Sequence, residues 1–266
     1  MKSRVVSAIF MILIFVPFLI VGDVPFAVLM SVLGLASLYE LINVRESRKK
    51  FPILLKIIAY IIVLGLCLHN VDSIEFQYQF DYRVMAGLIF IYLVPMVFIN
   101  DSKRYNFDDA LFLVGSTLFI GLSFNLLTIT RNFDMNYIIY LLLITTMTDT
   151  FALFTGMLIG KHKLCPKISP KKTVEGLIGG VLMGAFVATC FYITVINSSI
   201  SIVLLIFISA LLCLVGQLGD LLFSSIKRYY GIKDFSNLIP GHGGILDRFD
   251  SLIFVTLAFI ILIGML

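Results

Sequence analysis

The sequence predicts an all-α polytopic membrane protein with about nine transmembrane helices, a cytoplasmic N-terminus and a polar cavity open to the cytoplasm. Three observations lead there. Of the 266 residues, 60% are hydrophobic and 14% charged, whereas a soluble domain is about 25% charged. Apolar runs near the length needed to cross about 30 Å of hydrocarbon recur along the whole chain. Lys and Arg then fall on alternate connecting segments, as the cytoplasmic bias of positive charge demands. Soluble enzymes and nucleic-acid-binding modules are excluded, because no aqueous fold of this length could bury so much apolar surface. The formal net charge of +4 matters less than its distribution.

The runs lie at 5–21, 24–43, 53–69, 84–99, 109–129, 137–160, 175–196, 201–222 and 251–266. The first, preceded by Lys2 and Arg4, resembles a signal peptide, but equally apolar runs follow it, so it is read as an uncleaved span. With the N-terminus inside, the cytoplasmic segments hold Lys2 and Arg4, then Arg45, Arg48, Lys49 and Lys50, then Lys103 and Arg104. Further on they hold Lys161, Lys163, Lys167, Lys171 and Lys172, then Lys227, Arg228, Lys233 and Arg248. The outer segments hold Arg83 and Arg131. The chain is accordingly divided into N-terminal helices over 1–130 and a C-terminal region over 131–266, with cytoplasmic loops at 161–174 and 223–250. Cys67, Cys165, Cys190 and Cys213 are scattered, without the paired spacing of a thiolate metal site or a disulfide framework.

Glu40, Lys56, Asp149, Glu175 and Asp220 are ionisable residues inside apolar runs. Such groups are expensive in hydrocarbon and mark a cavity, a pathway or a paired site, unless they snorkel to the interface. Most of them lie toward the cytoplasmic side, which favours a cavity open on that face over a pathway through the whole depth.

Two loops carry the chemistry. The first, Gly160-Lys161-His162-Lys163-Leu164-Cys165-Pro166-Lys167-Ile168-Ser169-Pro170-Lys171-Lys172-Thr173, is dense in cations suited to anionic headgroups or phosphates. The spacing of Gly156, Gly160 and Lys161 is wrong for a Walker phosphate loop. The second loop, through Asp250, combines glycines that admit backbone N–H groups to phosphate oxygens, cations that neutralise them, and aspartates suited to Mg²⁺. His242 is compatible with a phosphate contact or a general acid.

The run Ser224-x-Ile226-Lys227-Arg228-x4-Lys233-Asp234-x-Ser236-x2-Ile239-Pro240-x-His242-Gly243-Gly244-Ile245-x-Asp247-Arg248-Phe249-Asp250 resembles the family motif of phosphatidate cytidylyltransferase, also called CDP-diacylglycerol synthase. Upstream, Asp149-x-x-Ala152-x3-Gly156, Gly160-Lys161-His162-Lys163 and Ser169-Pro170-Lys171-Lys172-Thr173-x-Glu175-Gly176 are similar to the central segment of that family. The chain has Val174, Phe151 and Phe223 where the family commonly has Trp, Gly and Glu. The motifs cover about residues 145–251; the rest of the chain is similar only in hydropathy and span number.

The resemblance implies that CTP and phosphatidic acid are joined into CDP-diacylglycerol with release of pyrophosphate. It implies a membrane-embedded homodimer, with no nucleic acid partner. Asp220, Asp247, Lys227 and His242 are the expected catalytic residues. Asp220 and Asp247 are expected to bind Mg²⁺, with a second cation left open and Asp149 a further candidate ligand. Lys227, Arg228, Lys233 and Arg248 are expected to clamp the triphosphate beside the Gly243-Gly244 backbone. Ser169, Lys171 and Lys172 are expected to face the lipid phosphate or the second anion, and Thr173, Ser224 and Asp234 complete the binding set. A bacterial cytoplasmic membrane, with the site facing the cytoplasm, is the expected location. Gly176, Gly180 and Gly184 form G-x-x-x-G steps that predict close helix packing, within one chain or between two. A transporter or channel, an alcohol phosphotransferase acting on CDP-diacylglycerol and a nucleotide-dependent lipid kinase are the competing readings. The absence of a visible internal repeat counts against the first, and the absence of any Asp-Gly dipeptide against the second.

Overall fold

Helices dominate the computed structural model, which describes residues 2–69, 82–99, 101–196 and 200–263. The side chains of Lys2 and Arg4, and residues 264–266 of the expected last span, lie outside the described residues. The chain divides into two units. The first comprises Met1–Phe133 and Phe235–Ile245, the second Asp134–Asp234 and Leu246–Leu266.

The first unit contains α1 (Lys2–Val21), α2 (Asp23–Glu46), α3 (Ile53–Cys67), α4 (Tyr82–Leu93), α5 (Pro95–Ile99) and α6 (Phe107–Phe133). Pro95 divides the expected fourth span, since its ring removes a backbone donor from an otherwise continuous apolar helix. α6 is the central element, packed against α2 and α3. Asp109 at its start is buried and accepts hydrogen bonds from Arg45, at 2.7 Å, and from Lys49. The Arg45 guanidinium also lies over the Phe51 and Phe112 rings, 5.9 and 6.0 Å from their centroids. At the other end of α6, Arg131 donates to the Leu19 and Ile20 carbonyls at 2.8 and 2.7 Å, satisfying acceptors that the end of α1 leaves open.

The second unit contains α7 (Met135–Ile159), β1 (Lys163–Cys165), β2 (Ser169–Thr173), α8 (Val174–Phe191, continued by a π-helical turn over Tyr192–Ile196), α9 (Ile202–Tyr229) and α10 (Leu246–Leu262). Asp134 begins α7 by accepting from the Asn136 N–H at 2.8 Å, a standard N-cap. The glycine stripe of α8 packs against α7 within the chain. A Cβ on Gly180 would stand 2.7 Å from the Thr148 carbonyl oxygen and 2.8 Å from the Ala152 Cβ, and one on Gly176 2.7 Å from the Ala152 carbonyl.

Among the described residues, six helical stretches are long and apolar enough to cross a membrane: Asp23–Glu46, Tyr82–Ile99, Phe107–Phe133, Met135–Ile159, Val174–Ile196 and Ile202–Tyr229. Val6–Val21 and Ile53–Cys67 are apolar but shorter. The 15 residues of α3 reach about 22 Å at 1.5 Å per residue, less than a full hydrocarbon thickness. The chain is thus a polytopic helical membrane protein.

Two parts expected as loop are ordered differently. The lysine-rich segment forms an antiparallel hairpin, with Lys163 opposite Thr173 and Cys165 opposite Ser169. Its turn places Pro166 in the second position, with the Ile168 N–H donating to the Cys165 carbonyl at 3.1 Å. The segment over 223–250 is largely helical at both ends. α9 continues through Lys227 and Arg228 to Tyr229, and α10 begins at Leu246. α9 stops where Gly231 takes a φ of 71°. The Ile232 N–H then reaches the Lys227 carbonyl at 2.9 Å and the Gly231 N–H the Arg228 carbonyl at 3.0 Å, the paired bonds of a Schellman end.

Candidate functional site

α9 presents Gln217, Asp220, Ser224 and Lys227 at spacings of three and four, so one helix face carries all four polar side chains. Within the second unit this stripe receives partners from three other elements. From β2, the Lys172 ammonium meets Asp220 at 2.6 Å and donates to the Gln217 amide oxygen at 3.0 Å. From α7, Asp149 accepts from the Gln217 amide nitrogen at 2.8 Å. From α10, Asp247 accepts from Lys227 at 2.6 Å, with the two side chains 3% and 10% exposed. The Ser224 hydroxyl donates to Asp220 at 3.3 Å. Asp250, one turn beyond Asp247, accepts from the Ser251 N–H at 2.7 Å and lies in the field of Asp220, Asp149 and Lys227.

The hairpin explains why adjacent lysines part company. Successive strand residues point to opposite faces, so Lys172 turns inward to Asp220 while Lys171 is exposed. Both loops singled out in the sequence therefore contribute to one network, through Lys172. Thr173 is buried and accepts from the Gly176 N–H at 3.1 Å, capping α8. His162 and Glu175 pair at 2.6 Å across the base of the hairpin. Arg228 donates to the carbonyls of Ile168 at 3.3 Å and Ile232 at 2.9 Å, tying the hairpin turn to the end of α9. Ser169 is half-buried, and Lys233, Asp234 and Arg248 are exposed. Phe223, where the family commonly has Glu, is fully buried and meets the Phe254 ring edge-on at 6.1 Å.

His242, Gly243 and Gly244 belong to the first unit, on the segment Phe235–Ile245. There Ile239-Pro240-Gly241-His242 forms a β-turn closed by the His242 N–H donating to the Ile239 carbonyl at 2.9 Å. Gly241 and Gly243 hold φ values of 79° and 83°, which glycine adopts without strain. The turn is held by Glu40 of α2, a wholly buried residue. Its carboxyl group accepts from the Ser236 hydroxyl at 2.6 Å and the Ile245 N–H at 2.8 Å.

The charged residues inside apolar runs are thus paired. Lys56 meets Glu46 at 3.0 Å, and Glu40, Asp149, Glu175 and Asp220 have the partners given above. Sequence reasoning missed Gln217, whose signal is its place one turn before Asp220 in an apolar run, and the role of Glu40.

Among the described residues no three His, Cys, Asp or Glu side chains stand together as a metal-binding group. The donor set nevertheless suits Mg²⁺, which takes one or two protein carboxylates and completes its shell with water and substrate oxygens. Asp149, Asp220 and Asp250 lie in one another's field, with Lys172 and Lys227 among them and Asp247 paired to Lys227, so carboxyl oxygens are at hand for such an ion.

A family model described as the cytidylyltransferase family matches residues 2–266. The chain is similar to a protein of Bacillus subtilis named phosphatidate cytidylyltransferase, 35% identical over 96% of this chain and 94% of the relative. Proteins of the same name from Staphylococcus haemolyticus and Staphylococcus epidermidis are 36% and 38% identical, each over 96% of both chains.

Proposed function

Because the chain belongs to the cytidylyltransferase family over nearly its whole length, and is accordingly a nucleotidyltransferase, we propose that it converts CTP and phosphatidic acid into CDP-diacylglycerol and pyrophosphate for phospholipid synthesis. The observation that carries this reading is the Lys172–Asp220–Gln217–Asp149 network beside Lys227–Asp247, in which residues of both motifs meet in one unit.

The phosphatidate phosphate is ionised at neutral pH and needs no base to make it a nucleophile. One of its oxygens attacks the α-phosphorus of CTP. The new P–O bond forms as the bond to the bridging oxygen breaks, and pyrophosphate leaves with that electron pair. The protein's task is to gather two polyanions and to stabilise the leaving group, which calls for positioned cations. Lys172 and Lys227 are held at fixed sites by Asp220 and Asp247, and we assign them to the reacting phosphates. Arg228, Lys233 and Arg248 supply further positive charge around the nucleotide, and Lys171, exposed on β2, is assigned to the lipid phosphate. His242 and the Gly243-Gly244 backbone are assigned to the nucleotide phosphates from their own turn.

Asp220 and Asp247, with Asp149 as a further ligand, would hold Mg²⁺, and a second cation is part of the same proposal. When bound, Mg²⁺ neutralises the triphosphate and the charge developing on pyrophosphate. We place the site at the cytoplasmic face of a bacterial membrane, a reading supported by the one-sided distribution of Lys and Arg. A homodimer is proposed on a face other than the glycine stripe, which α7 already occupies.

The test is pyrophosphate release by purified protein in detergent–lipid micelles with CTP and phosphatidic acid, for wild type beside Asp247→Asn. Release that needs both substrates and is lost in the variant is the expected result. No release from well-folded wild type overturns the reading.

A further inference from the structure

Glu40 is the most deeply buried carboxyl group tied to the signature segment, yet it lies in α2, far from that segment in sequence. It has no exposed surface. It accepts from Ser236 at 2.6 Å and from the Ile245 N–H at 2.8 Å, partners 196 and 205 residues away. These contacts bracket the turn that carries His242, Gly243 and Gly244. A Cβ on Gly244 would stand 2.5 and 2.6 Å from the two Glu40 carboxyl oxygens. The glycine is therefore needed there because the carboxyl group fills the space a side chain would take. Burying such a group is unfavourable unless it is hydrogen-bonded, so its two bonds to the segment are what keep it there.

We propose that Glu40 is a positioning residue for the His-Gly-Gly turn. It fixes both ends of the turn, at Ser236 and at Ile245, so that the glycine backbone is preorganised for the nucleotide phosphates. The inference rests on the cytidylyltransferase reading and adds to it a residue from the N-terminal half of the chain. Glu40 itself need not touch substrate.

The test compares wild type, Glu40→Gln, Glu40→Ala, Gly244→Ala and the Glu40→Ala/Gly244→Ala double variant in the pyrophosphate assay, with CTP and phosphatidic acid varied separately. Glu40→Gln is expected to raise the apparent KM for CTP roughly tenfold, the scale of one lost charge-assisted hydrogen bond, and to leave the KM for phosphatidic acid within about twofold. Gly244→Ala is expected to do the same alone and to add nothing in the Glu40→Ala background, because the clash is gone. Amide hydrogen exchange over 236–245 is expected to quicken in Glu40→Gln while α9 is unchanged.

Equal losses toward both substrates, or additive effects in the double variant, overturn the proposal. If the alanine variants fail to fold, the Glu40→Gln KM split and exchange pattern decide. Inactive wild type strikes the cytidylyltransferase reading instead; unchanged exchange in Glu40→Gln would then overturn the positioning role by itself.

Discussion

Lys172 and Lys171 are adjacent in sequence and opposite in circumstance. Lys172 is held by Asp220 and Gln217, while Lys171 is exposed on β2. Lys172→Ala removes the ammonium group paired with Asp220. It is expected to lower kcat/KM for both substrates by about ten- to a hundredfold, the scale of a hydrogen bond between charged groups. Lys171→Ala is expected to raise the apparent KM for phosphatidic acid more than that for CTP, and steady-state titration of each substrate checks both. Asp220 was legible in the sequence because charge inside an apolar run has few explanations, and Lys227 and Asp247 were legible through the motif they belong to. Gln217 was not, because an uncharged amide barely disturbs hydropathy, and its partners lie on α7 and β2. Thr173 reads as a binding hydroxyl in the motif, and in the structure its hydroxyl oxygen caps α8.

The close approach of α7 and α8 depends on missing side chains rather than on present ones. Gly180→Val would drive a branched side chain into the Thr148 carbonyl and Ala152. It is expected to destabilise the protein by about 1–3 kcal/mol, the usual range for overpacking, seen as a lowered thermal midpoint in detergent. Gly115 of α6 has nothing within 4 Å of its hypothetical Cβ, so Gly115→Ala is expected to leave that midpoint unchanged or slightly raised. The G-x-x-x-G spacing announced tight packing, while its partner helix became visible only in three dimensions. Helix ends were less legible. Hydropathy reports transfer out of water, not backbone geometry, so α9 runs on past the apolar run until Gly231 ends it.

At the scale of the whole chain, the second unit gathers Asp149, Asp220, Asp247 and Asp250 around Lys172 and Lys227. Under the proposed function, a divalent cation held there would neutralise the triphosphate. Chelation with EDTA is therefore expected to abolish pyrophosphate release by wild type, and added Mg²⁺ to restore it. Asp247→Asn is expected to stay silent at every Mg²⁺ concentration. Activity that survives chelation removes the metal from the proposal. The helical, membrane-bound character was legible in composition alone, but the division into units was not, because Phe235–Ile245 returns to the first unit after the second has begun. That return has a consequence for biosynthesis. Glu40 emerges 196 residues before Ser236, which at 5–20 residues per second is a wait of about 10–40 s. During that interval the nascent chain carries a carboxyl group whose final partners on that segment do not yet exist, so the first unit is completed only near the end of translation.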